Sequence, residues 1–379
     1  MIRFTQKVWG DIMFNFANKS EITEDIVENS NEMQHAQRSE KNFEASQKNI
    51  GIDLGYGYVK LIDSVGEIKF PSIVGIGREL QYSSSLKFAK ENVETKNIAV
   101  KVDKESYFVG ELALRQSDIA SRSLNLQKVN DNNSKILMLT SVGMLNKWDN
   151  ESFNIVTGLP INQFSEQRDW ADKLVGHHEV TFVGDRTEKV KNFSIKKVHI
   201  IPQPFGTLYD QMLNNSGGVI NKDLADMMIG VIDVGYKTTG FAAINQVELV
   251  EHLSFSNTTA LSSAYRMIAN YFRKEYGIDK EVFELDEILE SGWLKLAGKN
   301  QDITYIKNEV YEKIANKIVL DINSLWNYRD FDVIFMTGGG GQALSSFILK
   351  NFPNMKLVEG SQHANVRGYQ KLANNIFRS

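Results

Sequence analysis

The chain contains no cysteine, which excludes disulfides, a thiolate nucleophile and any cysteine-ligated metal. It has no excess of positive charge either: 43 Lys and Arg stand against 47 Asp and Glu, for a formal net charge of −4. It therefore lacks the electrostatic footprint of a protein that binds nucleic acid through its overall charge. No apolar run reads as a transmembrane span or a secretory h-region, so a cytoplasmic protein is the expectation. Three site signatures are missing as well. There is no Gly-x-x-x-x-Gly-Lys-Ser/Thr phosphate loop, no Gly-x-Gly-x-x-Gly after a strand, and no His-Glu-x-x-His metal box. The pair His177-His178 lies in a polar stretch and reads as a solvated loop. What remains is ordinary globular composition, with 379 residues, 42% hydrophobic and 24% charged, enough for two or three domains.

Residues 1–48 differ from the rest. Val8, Trp9, Ile12, Met13 and Phe16 fall on one face at helical spacing, and residues 18–48 are rich in Glu, Asn, Ser, Gln and Lys. This reads as a short amphipathic helix on a flexible tether, whose r.m.s. reach is about 30 Å for a random coil. The commoner case for such a terminus is packing on the protein's own body, or poor order. The functional alternative is docking of residues 1–17 on a membrane surface or a partner. The globular body is expected from Asn49. A hairpin around residues 50–63 is followed by strand to residue 74, with Pro71 at an edge or a strand end. Residues 80–97 are polar and weakly patterned, and 98–110 alternate like strands. A helix is expected over 134–147 with Leu137, Met138, Val142 and Leu145 as its buried stripe, and Phe153–Thr157 as a strand.

The second half repeats this grammar. Met228–Asp233 and Gly240–Ile244 read as strands. Thr258 or Thr259 can cap a helix that ends at Tyr276 with Gly277 beyond it. A long amphipathic helix is expected over 307–327, a strand over Asp332–Thr337, a helix over Gln342–Asn351, and a last helix from Val366 to Phe377. Strand hairpins alternating with helices argue an α/β class.

Three motifs carry chemistry. The first is Asp53-Leu54-Gly55-Tyr56-Gly57, followed by Lys60. The second, 180 residues on (233 − 53), is Asp233-Val234-Gly235-Tyr236-Lys237-Thr238-Thr239. Glycines at such turns let backbone N–H groups approach an anion. A carboxylate at the end of a buried strand is costly unless paired or near a metal. Lys60 adds a cation for phosphate oxygens, and the threonine hydroxyls can donate to a terminal phosphate. One such hairpin is a common turn. Two copies, joined by the run Gly338-Gly339-Gly340-Gly341 between a strand and a helix, suit a polyphosphate with a divalent cation.

Taken in order, Asp53–Lys60, Asp233–Thr239 and Gly338–Gly341 resemble the phosphate-1, phosphate-2 and adenosine motifs of the actin, Hsp70 and sugar kinase superfamily. Within it the chain resembles the plasmid-segregation actins of the ParM/StbA type and the archaeal actin-like proteins. Val156-Thr157-Gly158-Leu159-Pro160, Pro202-Gln203-Pro204-Phe205-Gly206-Thr207 and Ala364-Asn365-Val366-Arg367-Gly368-Tyr369 carry that narrower likeness, which covers residues 49–379. The resemblance implies a duplicated, ribonuclease H-like two-domain fold with a nucleotide cleft between the halves. It places domain I at 49–205 with the C-terminal helix, about 362–379, and domain II at 206–361. It implies ATP or GTP with Mg²⁺ held through water by Asp53 and Asp233. Gly55, Tyr56, Gly57 and Lys60 would grip the β-phosphate. Gly235, Tyr236, Lys237, Thr238 and Thr239 would face the γ-phosphate, and Gly338, Gly339, Gly340 and Gly341 the nucleoside. Gln203 stands where the family positions the attacking water, often with Glu, so Gln203 and Asp233 are the implied catalytic pair. Gly240 replaces an acidic residue of some relatives, leaving Asp233 fewer carboxylate neighbours.

The implied function is an NTPase that forms polar filaments from copies of itself and segregates plasmid or other DNA through a DNA-binding adaptor, with no direct nucleic-acid contact. Hydrolysis would switch the domain angle and so the subunit contacts. A membrane-associated bacterial cytoskeletal actin homologue is the alternative that residues 1–17 favour. A small-molecule kinase of the superfamily would need a catalytic Asp at the acceptor hydroxyl, and no extra acidic candidate stands out. An Hsp70-like chaperone would need a β-rich substrate domain after the ATPase, whereas 38 residues follow Gly341 (379 − 341).

Overall fold

The apolar run Ile50–Leu54 is buried along its whole length, as befits a strand in the middle of a sheet covered on both faces. It belongs to β1 (Gln47–Leu54), and the computed structural model builds the first half of the molecule around it. The structure describes residues 47–64, 66–78, 93–117, 120–122, 128–184, 187–280 and 284–378. After β1 come β2 (Tyr58–Ile62), β3 (Glu67–Pro71), β4 (Ile73–Ile76), β5 (Ile98–Val102), β6 (Glu105–Val109) and β7 (Ala120–Arg122). β8 (Glu151–Leu159), β9 (Gly176–Val183) and β10 (Glu188–Pro202) complete one ten-stranded sheet. Its order is β3-β2-β1-β8-β10-β9-β5-β6-β4-β7. β1 and β10 both run parallel to β8, while β2 runs antiparallel to β1. A single helical turn over Val93–Lys96 precedes the longer helices of this half, α1 (Glu111–Gln116), α2 (Asn132–Leu145) and α3 (Gln167–Leu174).

The second half has the same central arrangement. β11 (Met228–Val234), β12 (Thr239–Asn245), β13 (Glu248–Leu249) and β14 (Phe255–Asn257) are followed by a separate hairpin, β15 (Trp293–Leu296) with β16 (Lys299–Asp302). β17 (Val333–Thr337) and β18 (Met355–Leu357) finish the sheet, in the order β13-β12-β11-β17-β18 with β14 also on β12. β11 pairs antiparallel with β12 and parallel with β17, as β1 does with β2 and β8. The register repeats too: Asp53 faces Lys60, and Asp233 faces Gly240, seven residues on in each case. The internal repeat is therefore structural.

Two helices join the halves. α4 (Phe205–Met212) follows β10, and α9 (Ala364–Ile376) ends the chain. Between them in sequence lie α5 (Leu261–Tyr276), α6 (Leu285–Ser291), α7 (Thr304–Leu325) and α8 (Gly339–Ile348). Phe205, Leu208 and Tyr369 share one apolar cluster with Val156 of β8, Val231 of β11 and Phe335 of β17, so one core spans both sheets. α4 and α9 cross at Gly206 and Gly368 so closely that a Cβ on Gly368 would lie 1.7 Å from the Gly206 carbonyl oxygen. Only glycine fits there. The crossing is tied by Asp210, which is buried and accepts both Nε (3.1 Å) and Nη2 (2.6 Å) of Arg367 and the Lys371 ammonium (2.7 Å).

Several sequence expectations shift. β1 starts at Gln47, so the last two residues of the expected tether are strand. The helix and tether expected within residues 1–46, and most of the polar stretch 80–97, lie outside the described residues. His177 and His178 are on β9 and not in a loop. His177 Nδ1 and the Ser194 hydroxyl lie 2.8 Å apart, and so do His178 Nε2 and the Leu174 carbonyl. α2 is buried nearly all round rather than along one stripe. α5 has Ala260 as its N-cap and no side-chain cap, and the Thr259 carbonyl accepts the Thr239 hydroxyl. The Gly277 end, in the left-handed conformation, is as expected. The β9–β10 ribbon, with a 15-residue second strand, has no counterpart among the sequence expectations.

Candidate functional site: the cleft between the halves

The two Asp-Gly-Tyr hairpins meet tip to tip. A Cβ on Gly57 would touch the Tyr236 side chain at 3.0 Å. Lys237 of the second tip reaches over the Tyr56 ring of the first, 5.5 Å from its centroid. Burial pushes the Lys237 ammonium down, and Arg266 nearby adds to that. Tyr56 is fixed in turn by the Gln163 amide, which donates to its hydroxyl at 3.2 Å. Behind the tips lies a cleft of about 750 Å³, the size of pocket that takes a small molecule or cofactor.

Asp53 and Asp233 line this cleft from opposite sides, 3% and 6% exposed. Each ends the central strand of its half, where a buried carboxylate needs partners. Asp53 Oδ2 receives Lys60 Nζ at 3.2 Å. Asp233 Oδ2 receives the Asn365 amide at 2.8 Å and the Gln203 amide at 3.2 Å. Asn365 is oriented by the Thr207 hydroxyl of α4, which donates to its Oδ1 at 2.7 Å. Tyr369 of α9 donates to the Gln203 carbonyl at 3.2 Å. The two crossing helices thus hold the carboxylate of the second half and the Gln203 backbone together.

Of the sequence candidates, Asp53, Gly55, Tyr56, Gly57, Lys60, Gln203, Asp233, Gly235, Tyr236, Thr238, Gly338, Gly339 and Gly340 line the cleft. Lys237, Thr239 and Gly341 do not. Neighbouring strand residues point to opposite faces, so with Gly240 on the cleft, Thr239 is buried and donates to the Thr259 carbonyl at 2.5 Å. Gly341 sits inside α8, buried against Met336. The four glycines are not one loop, because α8 begins at Gly339. Gly338 alone turns, at φ +85°, and a Cβ there would lie 2.3 Å from the Val234 carbonyl and 2.6 Å from Asp233 Oδ1. α8 therefore presents its N-terminal N–H groups beside Asp233, an arrangement that favours anions.

The cleft also holds residues that the motifs missed. Lys307 and Tyr311 lie one helical turn apart on α7 and line it together with Gln342 and Phe347 of the neighbouring α8. At the mouth, Tyr58 donates to Asp286 Oδ2 at 2.6 Å, linking β2 to α6 across the opening. Asp286 also raises the hydroxyl pKa of the buried Tyr265, adding to a larger effect of burial. Lys69 of β3 lines the same cleft. In sequence these residues are part of helical or strand patterns, and only their convergence in space marks them.

Two similar β-sheet halves, joined by crossed helices around a cleft with paired hairpins, define the actin-like fold. Residues 51–206 match the family of actin-like protein N-terminal domains, and residues 231–350 match the C-terminal domain of archaeal MreB-like actin homologues. The chain belongs to the actin-like proteins. No curated protein matches it. Among solved structures, it resembles a ParM of a 15-stranded filament from Clostridium botulinum, at 26% identity and TM-score 0.70, over 86% of this chain and 99% of that one. An archaeal actin homologue in complex with ADP matches at 21% identity and TM-score 0.70, over 86% and 99%. ParM of Bacillus thuringiensis with AMPPNP matches at 17% and TM-score 0.68, over 88% and 99%. The last two show the fold alone.

Proposed function

We propose that this chain binds ATP or GTP with Mg²⁺ in the cleft, hydrolyses it, and assembles with copies of itself into polar filaments. One observation carries the reading: two repeated Asp-Gly-Tyr hairpins meet over one cleft with Asp53 and Asp233 buried on its two sides. The ADP and AMPPNP bound to two proteins of the same fold, and the filament of the Clostridium protein, support it.

The residues fit a hydrated Mg²⁺. Two buried carboxylates face the same space, and no cluster of three or more acidic or histidine ligands exists among the described residues. Such a set suits a cation that keeps its waters and is shared with phosphates. Asp53 and Asp233 would hold it, and it would neutralise charge on the phosphate oxygens. Gly55, Tyr56, Gly57 and Lys60 grip the β-phosphate. Gly235, Tyr236 and Thr238 face the γ-phosphate, with Lys237 close behind. Gly338, Gly339 and Gly340 border the nucleoside, backed by Gly341. Gln203 donates its amide N–H to Asp233, which leaves its Oε1 to accept from the attacking water and orient it. Asp233 fixes Gln203 in that pose.

The functional domains are residues 49–205 with 362–379, and 206–361. In the cytoplasm, such a filament would segregate plasmid or other DNA through an adaptor protein. Asp233→Asn tests the site. Phosphate release at saturating MgATP is expected to fall about a hundredfold, with ATP affinity within a few fold of wild type. Equal turnover in the variant would contradict the assignment.

A further inference from the structure

The two halves share a register but not a charge. In the first half, Asp53, Lys60 and Lys69 face one another in a row across β1, β2 and β3. In the second half, the matching row across β11, β12 and β14 is Asp233, Gly240 and Ser256. Residues directly opposite on neighbouring strands share a face, and all six line the cleft. The row of the first half thus offers one carboxylate and two ammonium groups, and the row of the second half one carboxylate and no cation.

Lys60 and Lys69 are like charges placed directly opposite, an arrangement that costs stability unless something compensates it. Asp53 pairs with Lys60. Lys69 has no carboxylate within salt-bridge distance among the described residues. It lies over the Tyr58 ring, 4.7 Å from the centroid, and reaches Gln362 Oε1 at 3.4 Å. Asp286, which accepts the Tyr58 hydroxyl, and Glu290 and Glu67 act on it electrostatically and favour its charged form, but none forms a salt bridge with it. Burial holds the Lys69 ammonium below its usual range, and Lys60 pushes it further the same way. Gln362 in turn lies 3.5 Å from where a Gly339 Cβ would stand, at the start of α8. Lys69 is therefore aimed at the space between the first hairpin and the α8 N-terminus.

We infer that Lys69 is a second phosphate-gripping cation, which with Lys60 holds the polyphosphate of the nucleotide from the first half while the uncharged Gly240–Ser256 row leaves room for water on the other side. This rests on the nucleotide reading of the cleft. The polyanion supplies the charge that the Lys60–Lys69 pair lacks.

The test compares wild-type protein with Lys69→Gln and Lys69→Arg, each titrated with MgATP, MgADP and adenosine by calorimetry, with melting temperature recorded without ligand. Lys69→Gln is expected to bind MgATP and MgADP at least tenfold more weakly, as loss of a charge-assisted hydrogen bond to phosphate requires. Adenosine affinity should not change, and Lys69→Arg should keep most of the binding. The ligand-free melting temperature of Lys69→Gln should hold or rise, because a like-charge pair is removed. Unchanged MgATP affinity in Lys69→Gln, beside a wild type that binds, overturns the role of Lys69 and leaves the cleft reading intact. Equal weakening toward adenosine, or a ligand-free variant that melts several degrees lower, also overturns it, since Lys69 would then be structural. A wild type that binds no nucleotide overturns the cleft reading and this inference together.

Discussion

At the residue scale, the cleft works by pairing groups that burial would otherwise penalise. Asp233 is held by Asn365 and Gln203, and Asn365 is held by Thr207. Thr207→Val removes the donor that orients Asn365 while keeping the volume. Its turnover should drop more than its ATP affinity, a kcat effect with KM little changed, measured by steady-state phosphate release. An equal loss in both would place Thr207 in folding alone. His363 gives a pH prediction. Burial pushes its imidazole down to about 4, helped by Lys60, Lys69 and Arg367 and opposed by Asp53. Glu67, with Oε1 2.7 Å from Nε2, is 40% exposed, so its pull is screened. The folded value lies below the ordinary 6.5, so the unfolded chain takes up the proton first. The contribution of His363 to stability is whole above about pH 6.5 and is lost as the pH falls toward 4. His363→Gln should flatten the fall in melting temperature between pH 7 and 5. Parallel falls in wild type and variant would contradict this.

At the element scale, the α4–α9 crossing is the closest glycine-mediated joint among the described residues. Gly368→Ala must push the helices apart, because its Cβ would meet the Gly206 carbonyl oxygen. Overpacking of this kind costs about 1–3 kcal/mol, and a lower melting temperature with near-native circular dichroism is expected. A variant that melts with wild type would show that the joint is loose. The elements also mark how much the sequence revealed. The hairpins around Gly55 and Gly235, and the Gly277 helix stop, were legible because local turn chemistry decides them. The start of α8 was not. A run of four glycines reads as a loop by propensity, but packing against Val234 and the cap at Gly338 fold three of them into the helix. The strand position of His177 and His178 was hidden for a similar reason. β9 is half-exposed along its first residues, and polar side chains on its open face mask the period.

At the scale of the whole molecule, one shared core and two crossed helices couple the halves, while links such as Tyr58–Asp286 span the mouth of the cleft. The site was partly legible at this scale. The repeat announced two carboxylates and their glycines, but Lys69, Asp286, Lys307 and Tyr311 come from elements whose sequences say only strand or helix. A ligand held by both halves should stabilise the fold as a unit. At a hundred times its dissociation constant, a ligand that binds only the folded state contributes about 2.7 kcal/mol, so MgATP should raise a single cooperative melting transition. Two transitions, only one of them shifted, would argue that the halves unfold apart.

Mixing the purified chain with MgATP or MgGTP, and following light scattering and phosphate release together with negative-stain microscopy of the same sample, tests whether nucleotide in this cleft drives assembly. Filaments are expected to appear with nucleotide and decay as phosphate is released, with Asp233→Asn filaments persisting. Steady nucleotide turnover with no polymer at any protein concentration would contradict this.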